Sequence, residues 1–585
     1  MEKWSLNELY TGYDSQAFKE DFKMLETWVK TAQQYAQELP NSRLEDAVLI
    51  RKYIDIATQL RSLLLKLYGY VNLSLSTDAQ DETSNAMMFQ IQQRASKTTG
   101  FSTSFSKWLR ETKDLDTVLK NNVDLQVYAF MLKRIQEGAQ YVLSDQEEQL
   151  ISELTQTGSN AWSQLQGLLT SVLEVDFDGG ITTLSEIRNK AHNPNQASRK
   201  KAYEAELAAY SKIEHAVAAA LSGVKGEVNT LVKKRGFESP LAQSVYDARM
   251  TQETLDALIQ SMRKNLPMFH QYLKRKATIL GHKNGLPWYD LFAPIGASEK
   301  QFTSQEAIDF VVKNFKQFGD DLANLASRAY TEQWIDFTPR KGKRGGAFCF
   351  NLHPLKQSRI LMNFDGSFSN VITLAHELGH AYHGDRIFKE SILNASYTMP
   401  VAETASTLCE TIVKKAALKD AVNEEKLFIL EQSLMGSTQV IVDILSRFIF
   451  ESNVFKARDK GPLSPTLLNQ MMIDAQKEAY QDSLDPEYLN PYMWINKSHY
   501  YRGSLSFYNF PYAFGLLFAK GIYAQFQSRG KAFVKDIDLL LQKTGQMTVE
   551  DVAKLIDIDV QSVAFWDQSL AVIKEDIDLF LELTA

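Results

Sequence analysis

Apolar residues recur at steps of three and four through Ala47, Ile50, Ile54, Ala57, Leu60, Leu64 and Leu67, which draws one stripe down a long helix. Helical periodicity of this kind dominates the first half of the chain, so the fold is expected to be mainly α. Strand signals are scarce and concentrated. Gly345–Leu352 reads as one short strand and Ser358–Phe364 as another. Asp365-Gly366 then turns the chain into a helix capped by Ser367 or Ser369. Two strands directly before a polar-rich helix are a local exception, and such exceptions tend to mark function.

Breaks in the pattern suggest the organisation. Asp178-Gly179-Gly180 marks a turn, and His192-Asn193-Pro194-Asn195 marks a loop before a charged helix from about Ser198. The expected division is a helical N-terminal lobe at 1–195 and a second region at 196–585. A further break runs from Gly281 to Gly296. No repeat at solenoid periods and no low-complexity tract interrupts the chain.

Composition removes several function classes. With 585 residues the chain buries a core without staples. Its two cysteines, Cys349 and Cys409, exclude a disulfide framework and favour a reducing cytoplasm. A net charge of -7 argues against nucleic acid as the main partner, and Arg340-Lys341-Gly342-Lys343-Arg344 reads as a solvated loop. Met1–Leu6 has no basic stretch leading into an apolar one, so no signal peptide is expected. No apolar run approaches the ~18 residues of a spanning helix, so no membrane partner is expected either.

The helix after the strand pair reads Thr373-Leu374-Ala375-His376-Glu377-Leu378-Gly379-His380-Ala381-Tyr382-His383. His376 and His380 are four residues apart, so both imidazoles lie on one face and can grip one Zn²⁺ at about 2.0–2.1 Å. Glu377 can reach an attacking water from the side, the position of a general base. A tetrahedral catalytic site normally has a third protein ligand. Metzincin spacing would need Gly and His where this chain has His383 and Arg386. His383 lies awkwardly far along the helix and reads better as a packing histidine. Glu403, 23 residues after His380, is the favoured third ligand. Pro400 suits the first turn of a new helix and would place Glu403 near its start. The competing reading is a first-turn Glu that only complements the helix dipole.

At this point the residues resemble a family. His376–His383 with Glu403-x-x-Ser406 downstream is similar to the thimet oligopeptidase / oligoendopeptidase F zinc metallopeptidases, closest to oligoendopeptidase F. The likeness extends to Trp288–Pro294, Gly346–Cys349 and Phe565-Trp566, covering about residues 200 to 585 well. Thermolysin-like enzymes usually carry an Asp four residues after the downstream Glu, and here that position is Thr407. The resemblance implies a two-lobed helical body with the zinc at the floor of a deep channel and a small sheet beside the zinc-binding helix. It also implies cleavage of short unfolded peptides. The family places a His and tyrosines in the segment Ser498–Tyr512 as substrate and transition-state binders. His499, Tyr508 and Tyr512 are the nearest matches, though the spacing puts His499 a few residues early and leaves Tyr501 as a substitute.

The strand edge near Gly346 and Ala347 would suit peptide backbone pairing by β-augmentation. Taken together, the expectation is a cytoplasmic zinc endopeptidase with one Zn²⁺ per chain on His376, His380 and Glu403. Glu377 is its general base, with Tyr508, Tyr512 and His499 as donors to the oxyanion. The rivals are a metallo-carboxypeptidase or dipeptidase on a related fold and a non-enzymatic helical binding protein.

Overall fold

The computed structural model describes residues 2–296 and 300–585. Helices α1 (Gln16–Glu38) and α2 (Asp46–Thr77) open the chain. The stripe expected on α2 is there: Ala47, Ile50, Ile54, Leu60 and Leu67 are buried. After a further run of helices ending at Ser171 comes a hairpin, β1 (Glu174–Phe177) and β2 (Gly180–Thr183), turning at Asp178-Gly179. The sequence shows that turn, but its flanking strands carry too little alternation to be read as strands. After a short helix, Leu184–Asn189, α3 (Gln196–Ser211) starts two residues earlier than expected because Asn195 caps it by accepting from Ser198 N.

The small sheet has the order β3 (Ile335–Asp336), β5 (Gln357–Leu361), β4 (Phe348–Leu352), with β5 parallel to β3 and antiparallel to β4. Both expected strands form, but shorter. The first begins at Phe348 rather than Gly345, because Gly346 takes φ +79, a left-handed turn that favours glycine. The second ends at Leu361 rather than Phe364. Register pairs Phe348 with Leu361 and Asn351 with Ser358. Among the described residues, no strand pairs with the outer edge of β4.

The basic run is not solvated throughout. Lys343 Nζ and Arg340 Nη1 reach the buried carboxylate of Asp336 on β3 at 2.6 and 2.7 Å. The sequence does not show that this loop folds back onto a buried acid.

Helices near the site or the π turn include α4 (Phe368–Ile387), α5 (Thr404–Asp420), α6 (Asn423–Thr438), α7 (Ile444–Arg458), α8 (Phe510–Arg529) and α9 (Val563–Leu583). A single π turn, Gln439–Asp443, joins α6 to α7. By length and composition, Glu424–Arg458 could cross a membrane, contrary to the reading of the sequence. Yet 67% of its most apolar window is buried inside the protein, as a core helix would be.

Apolar packing divides in two. One core gathers Leu9 through Leu132 together with Leu352. The other runs from Leu173 to Phe580. It takes in Leu173, Val175, Leu184 and Ile187, which precede residue 195. Leu352 explains how the two meet: Gly69 on α2 lets β4 come so close that a Cβ there would sit 3.0 Å from the Leu352 side chain. The sheet is therefore held between α2 and α4.

Candidate metal centre

Helix α4 is fixed before any chemistry is considered. Ser367 caps it, its hydroxyl accepting from Asn370 N. Leu374, Ala375 and Leu378 are fully buried, each leucine contributing roughly 1.5–3 kcal/mol of burial. Gly379, between the two histidines' turns, allows α5 to lie directly against α4: a Cβ there would fall 2.5 Å from Ser406 Cα. That approach brings Glu403 over the imidazoles. Glu403 sits at the junction of a short helix, Met399–Ala402, and α5, with Pro400 in the first turn as its sequence suggests.

Three donor atoms converge. His376 Nε2 and His380 Nε2 are 3.1 Å apart, and Glu403 Oε2 is 3.3 and 3.5 Å from them. Ligands at zinc distances in a tetrahedron would stand about 3.3–3.4 Å from one another. The trio therefore fits a small tetrahedral cation. It is the only such cluster of three among the described residues.

Supporting bonds orient each donor. His376 Nδ1 bonds Glu410 Oε1 at 2.6 Å, which holds a proton on Nδ1 and directs Nε2 into the site. Lys414 Nζ holds the other Glu410 oxygen at 2.6 Å. Ser406 Oγ donates to Glu403 Oε2 at 2.8 Å, and Asn351 Nδ2 on β4 donates to the His380 carbonyl at 3.3 Å. Glu410 and Lys414 escaped the sequence reading. The signal was present, since Glu410 lies seven residues, two helical turns, after Glu403.

The metal-free electrostatics match a cation site. Burial opposes charge on His376, but Glu403 and Glu410 override it and hold its pKa up to about 10. Burial presses His380 down to about 4. Glu403 is buried too, yet His376 and His380 bring its carboxyl down to about 2. Without a metal the two carboxylates thus favour a positive charge on His376, and metal binding should release a proton. Glu377 differs from these groups. Burial raises it to about 7, and its Oε2 is buried with no hydrogen-bond partner.

His383 stays out of the cluster. It is fully buried, its Nε2 faces Thr544 Oγ1 at 2.8 Å, and it stacks on Tyr397 with ring centroids 4.0 Å apart. Tyr508 and Tyr512 come together, Tyr512 donating to the Tyr508 hydroxyl at 2.7 Å. Tyr512 lies near enough to Glu403 to feel its charge, and three residues further along α8 a Cβ on Gly515 would sit 3.0 Å from Glu403 Cβ. The His499 and Tyr508 ring centroids are 5.8 Å apart, and His499 Nε2 is buried without a partner. Tyr501 is no substitute: it is fully buried and spends its hydroxyl on the Trp494 carbonyl. Gly346 and Ala347 lie just before β4, and Asn363 Nδ2 donates to the Gly346 carbonyl at 2.9 Å. Burial pushes both cysteine thiols up, so neither is a ready nucleophile.

Comparison with known proteins gives a consistent picture. The family described as peptidase family M3 matches residues 190–572, and that described as oligopeptidase F matches 111–174. Oligopeptidase PepF of Bacillus subtilis (strain 168) is 24% identical over 99% of this chain and 87% of its own. Group B oligopeptidase PepB of Streptococcus agalactiae is 24% identical over 94% of each. Among solved structures, a candidate peptidase from Chlamydophila abortus superposes with a TM-score of 0.87 at 21% identity, over 100% of this chain and 98% of that one. Oligoendopeptidase-F from Enterococcus faecium gives 0.69 at 19%, over 97% and 99%.

Proposed function

This chain belongs to peptidase family M3 and is an oligopeptidase of the metallo type, and from that premise we propose that it is a zinc endopeptidase for short unfolded peptides. The observation that carries this reading is the pairing of a tetrahedrally spaced donor trio with a buried, partnerless carboxylate beside it. His376, His380 and Glu403 would hold Zn²⁺. When bound, the ion supplies Lewis-acid polarisation of a peptide carbonyl and acidifies a water.

The protein's own groups do the rest. Glu377 takes the proton of the attacking water as oxygen adds to the scissile carbonyl carbon. It then returns that proton to the leaving amine as the C–N bond breaks. Its lack of a competing partner keeps both oxygens free for this shuttle. Tyr512 donates to Tyr508, so the Tyr508 proton remains free to meet the developing oxyanion. His499 is the second candidate donor. The unpaired edge of β4, entered through Gly346 and Ala347, offers main-chain groups to an extended peptide.

The test is digestion of end-blocked peptides with and without a chelator, followed by mass spectrometry. Internal cleavage should stop on chelation and return with zinc. Release of terminal residues alone would instead indicate a carboxypeptidase or dipeptidase. A zinc-loaded protein that turns over no peptide would be a binding protein.

A further inference from the structure

Phe507 holds its backbone at φ +51, in the left-handed region that favours glycine and penalises a bulky side chain. Strain of this kind persists only where the surroundings fix it, and it gathers at functional sites. The next residue is Tyr508, half-buried between two buried neighbours and assigned above to the oxyanion. Whatever fixes Phe507 therefore also fixes where the tyrosine starts.

The hold comes from one face of α7. Phe448, Glu451 and Phe455 are spaced three and four residues apart, so they share that face. The buried Phe507 ring packs against Phe448 and Phe455, with centroids 5.5 and 5.6 Å away. Glu451 reaches the other flank of the tyrosine. Its Oε2 lies 3.5 Å from Asn509 Nδ2, a long contact, while Asn509 Oδ1 accepts from Phe510 N at 3.0 Å and caps α8. Lys225 Nζ, from the helix Glu214–Arg235, holds Glu451 Oε1 at 2.7 Å. Lys225, Glu451 and Asn509 are all buried. A buried ion pair often adds no net stability over apolar residues of like volume; what this one supplies is a carboxylate held in one direction. One residue before the strained position, the Ser506 carbonyl accepts from Ser244 Oγ at 3.0 Å.

We propose that α7 is a template that aims Tyr508, with Phe507 as the positioning residue. Phe448 and Phe455 hold its left-handed backbone on one side of the tyrosine, and Glu451 holds Asn509 on the other. Glycine would relieve the backbone at 507 but leave those two rings nothing to grip, which accounts for a phenylalanine in a conformation that disfavours it. The inference rests on the assignment of Tyr508 as oxyanion donor, and it requires no contact between α7 and substrate.

Phe507→Gly separates a template from an ordinary turn, because it suits the backbone and removes the ring. A turn that needs only the left-handed angle would work as well with glycine. Steady-state kinetics on the zinc-loaded variant should show kcat lower by about 10–100-fold, with KM and zinc content close to the parent's. In a Tyr508→Phe background the same substitution should change kcat by no more than about twofold, because no hydroxyl remains to be aimed. Parental kcat in Phe507→Gly overturns the proposal. So does an equal proportional loss in both backgrounds, which would mean that the ring acts by another route. If Tyr508→Phe alone costs only a few-fold, the oxyanion assignment falls first and the template falls with it. Should Phe507→Gly fail to fold, Phe448→Leu loosens the grip on Phe507 from a half-buried position. A several-fold loss of kcat in the parent and none beside Tyr508→Phe supports the template; no loss in either overturns it.

Discussion

Two of the stretches proposed to serve the site, α4 and Ser498–Tyr512, are built on opposite principles. On α4 the backbone is regular, so a spacing of four residues becomes a 3.1 Å approach of two imidazole nitrogens. From Ser498 to Tyr512 the chain passes a 3₁₀ turn, then Phe507 in the left-handed region at φ +51, then the first turn of α8. There the distance between His499 and Tyr508 is set by loop geometry, not by residue count. The regular stretch is backed by a network that holds its donors even without a metal. The irregular one leaves His499 Nε2 unpartnered and the Tyr508 proton free. The difference suggests a division of labour, with α4 and α5 committed to ground-state ligation and the tyrosine segment to charge that appears only during reaction.

The sharpest way to break this contrast is Glu403→Ala. Removing one of three donors should lower metal affinity by several orders of magnitude and abolish turnover; metal analysis after dialysis checks it. Equal zinc retention in the variant and the parent would remove Glu403 from the trio. Next in size, Tyr508→Phe should cost about 10²–10³ in kcat with little change in KM, as expected for loss of an oxyanion donor. Tyr512→Phe should cost less, because its hydroxyl acts by holding Tyr508. Both keep the ring, so thermal melts should barely move. A few-fold loss in kcat for both would return these tyrosines to packing. Smaller again, Glu410→Gln should weaken metal binding by about 10–100-fold by releasing His376 Nδ1. If competition with a graded chelator series gave an unchanged affinity, the carboxylate would not be orienting the ligand.

The smallest effect concerns pH. Burial lowers His383 to about 3 in the folded protein, against an ordinary value near 6.5. The unfolded chain therefore binds the extra proton first. The stability His383 provides is complete above about 6.5 and is lost as pH falls from there toward 3, at up to about 1.4 kcal/mol per pH unit. His383→Gln should flatten the pH dependence of the thermal midpoint in metal-free protein between pH 6.5 and 5. An identical slope in the variant would assign the acid sensitivity elsewhere.

How much of this was legible in the sequence follows the same division. The α2 stripe, the strand pair and the His376–His380 spacing were readable because helices and strands convert periodicity into direction. Glu403 was readable as a position, but its placement over the imidazoles depends on Gly379 admitting α5, a contact across 27 residues of sequence that no local pattern announces. Glu410 shares a helical face with Glu403, yet a lone glutamate two turns on looks like any solvated acid until His376 is seen beside it. The burial of Lys343 against Asp336 was hidden for a similar reason: charge runs look solvated until their partner strand is known. Tyr501 could be told from Tyr508 only by the Trp494 carbonyl that takes its proton.

The central claim is that the trio binds the metal while Glu377, buried and unpartnered, moves the proton. Glu377→Gln separates those roles, because it leaves every donor in place and removes only the capacity to accept a proton. Zinc content and peptide turnover should be measured on the same preparation. The account predicts about one zinc per chain, as in the parent, with turnover reduced by at least the 10²–10⁴-fold typical of a lost general base. A zinc-loaded variant that keeps turnover within a few-fold of the parent would contradict it.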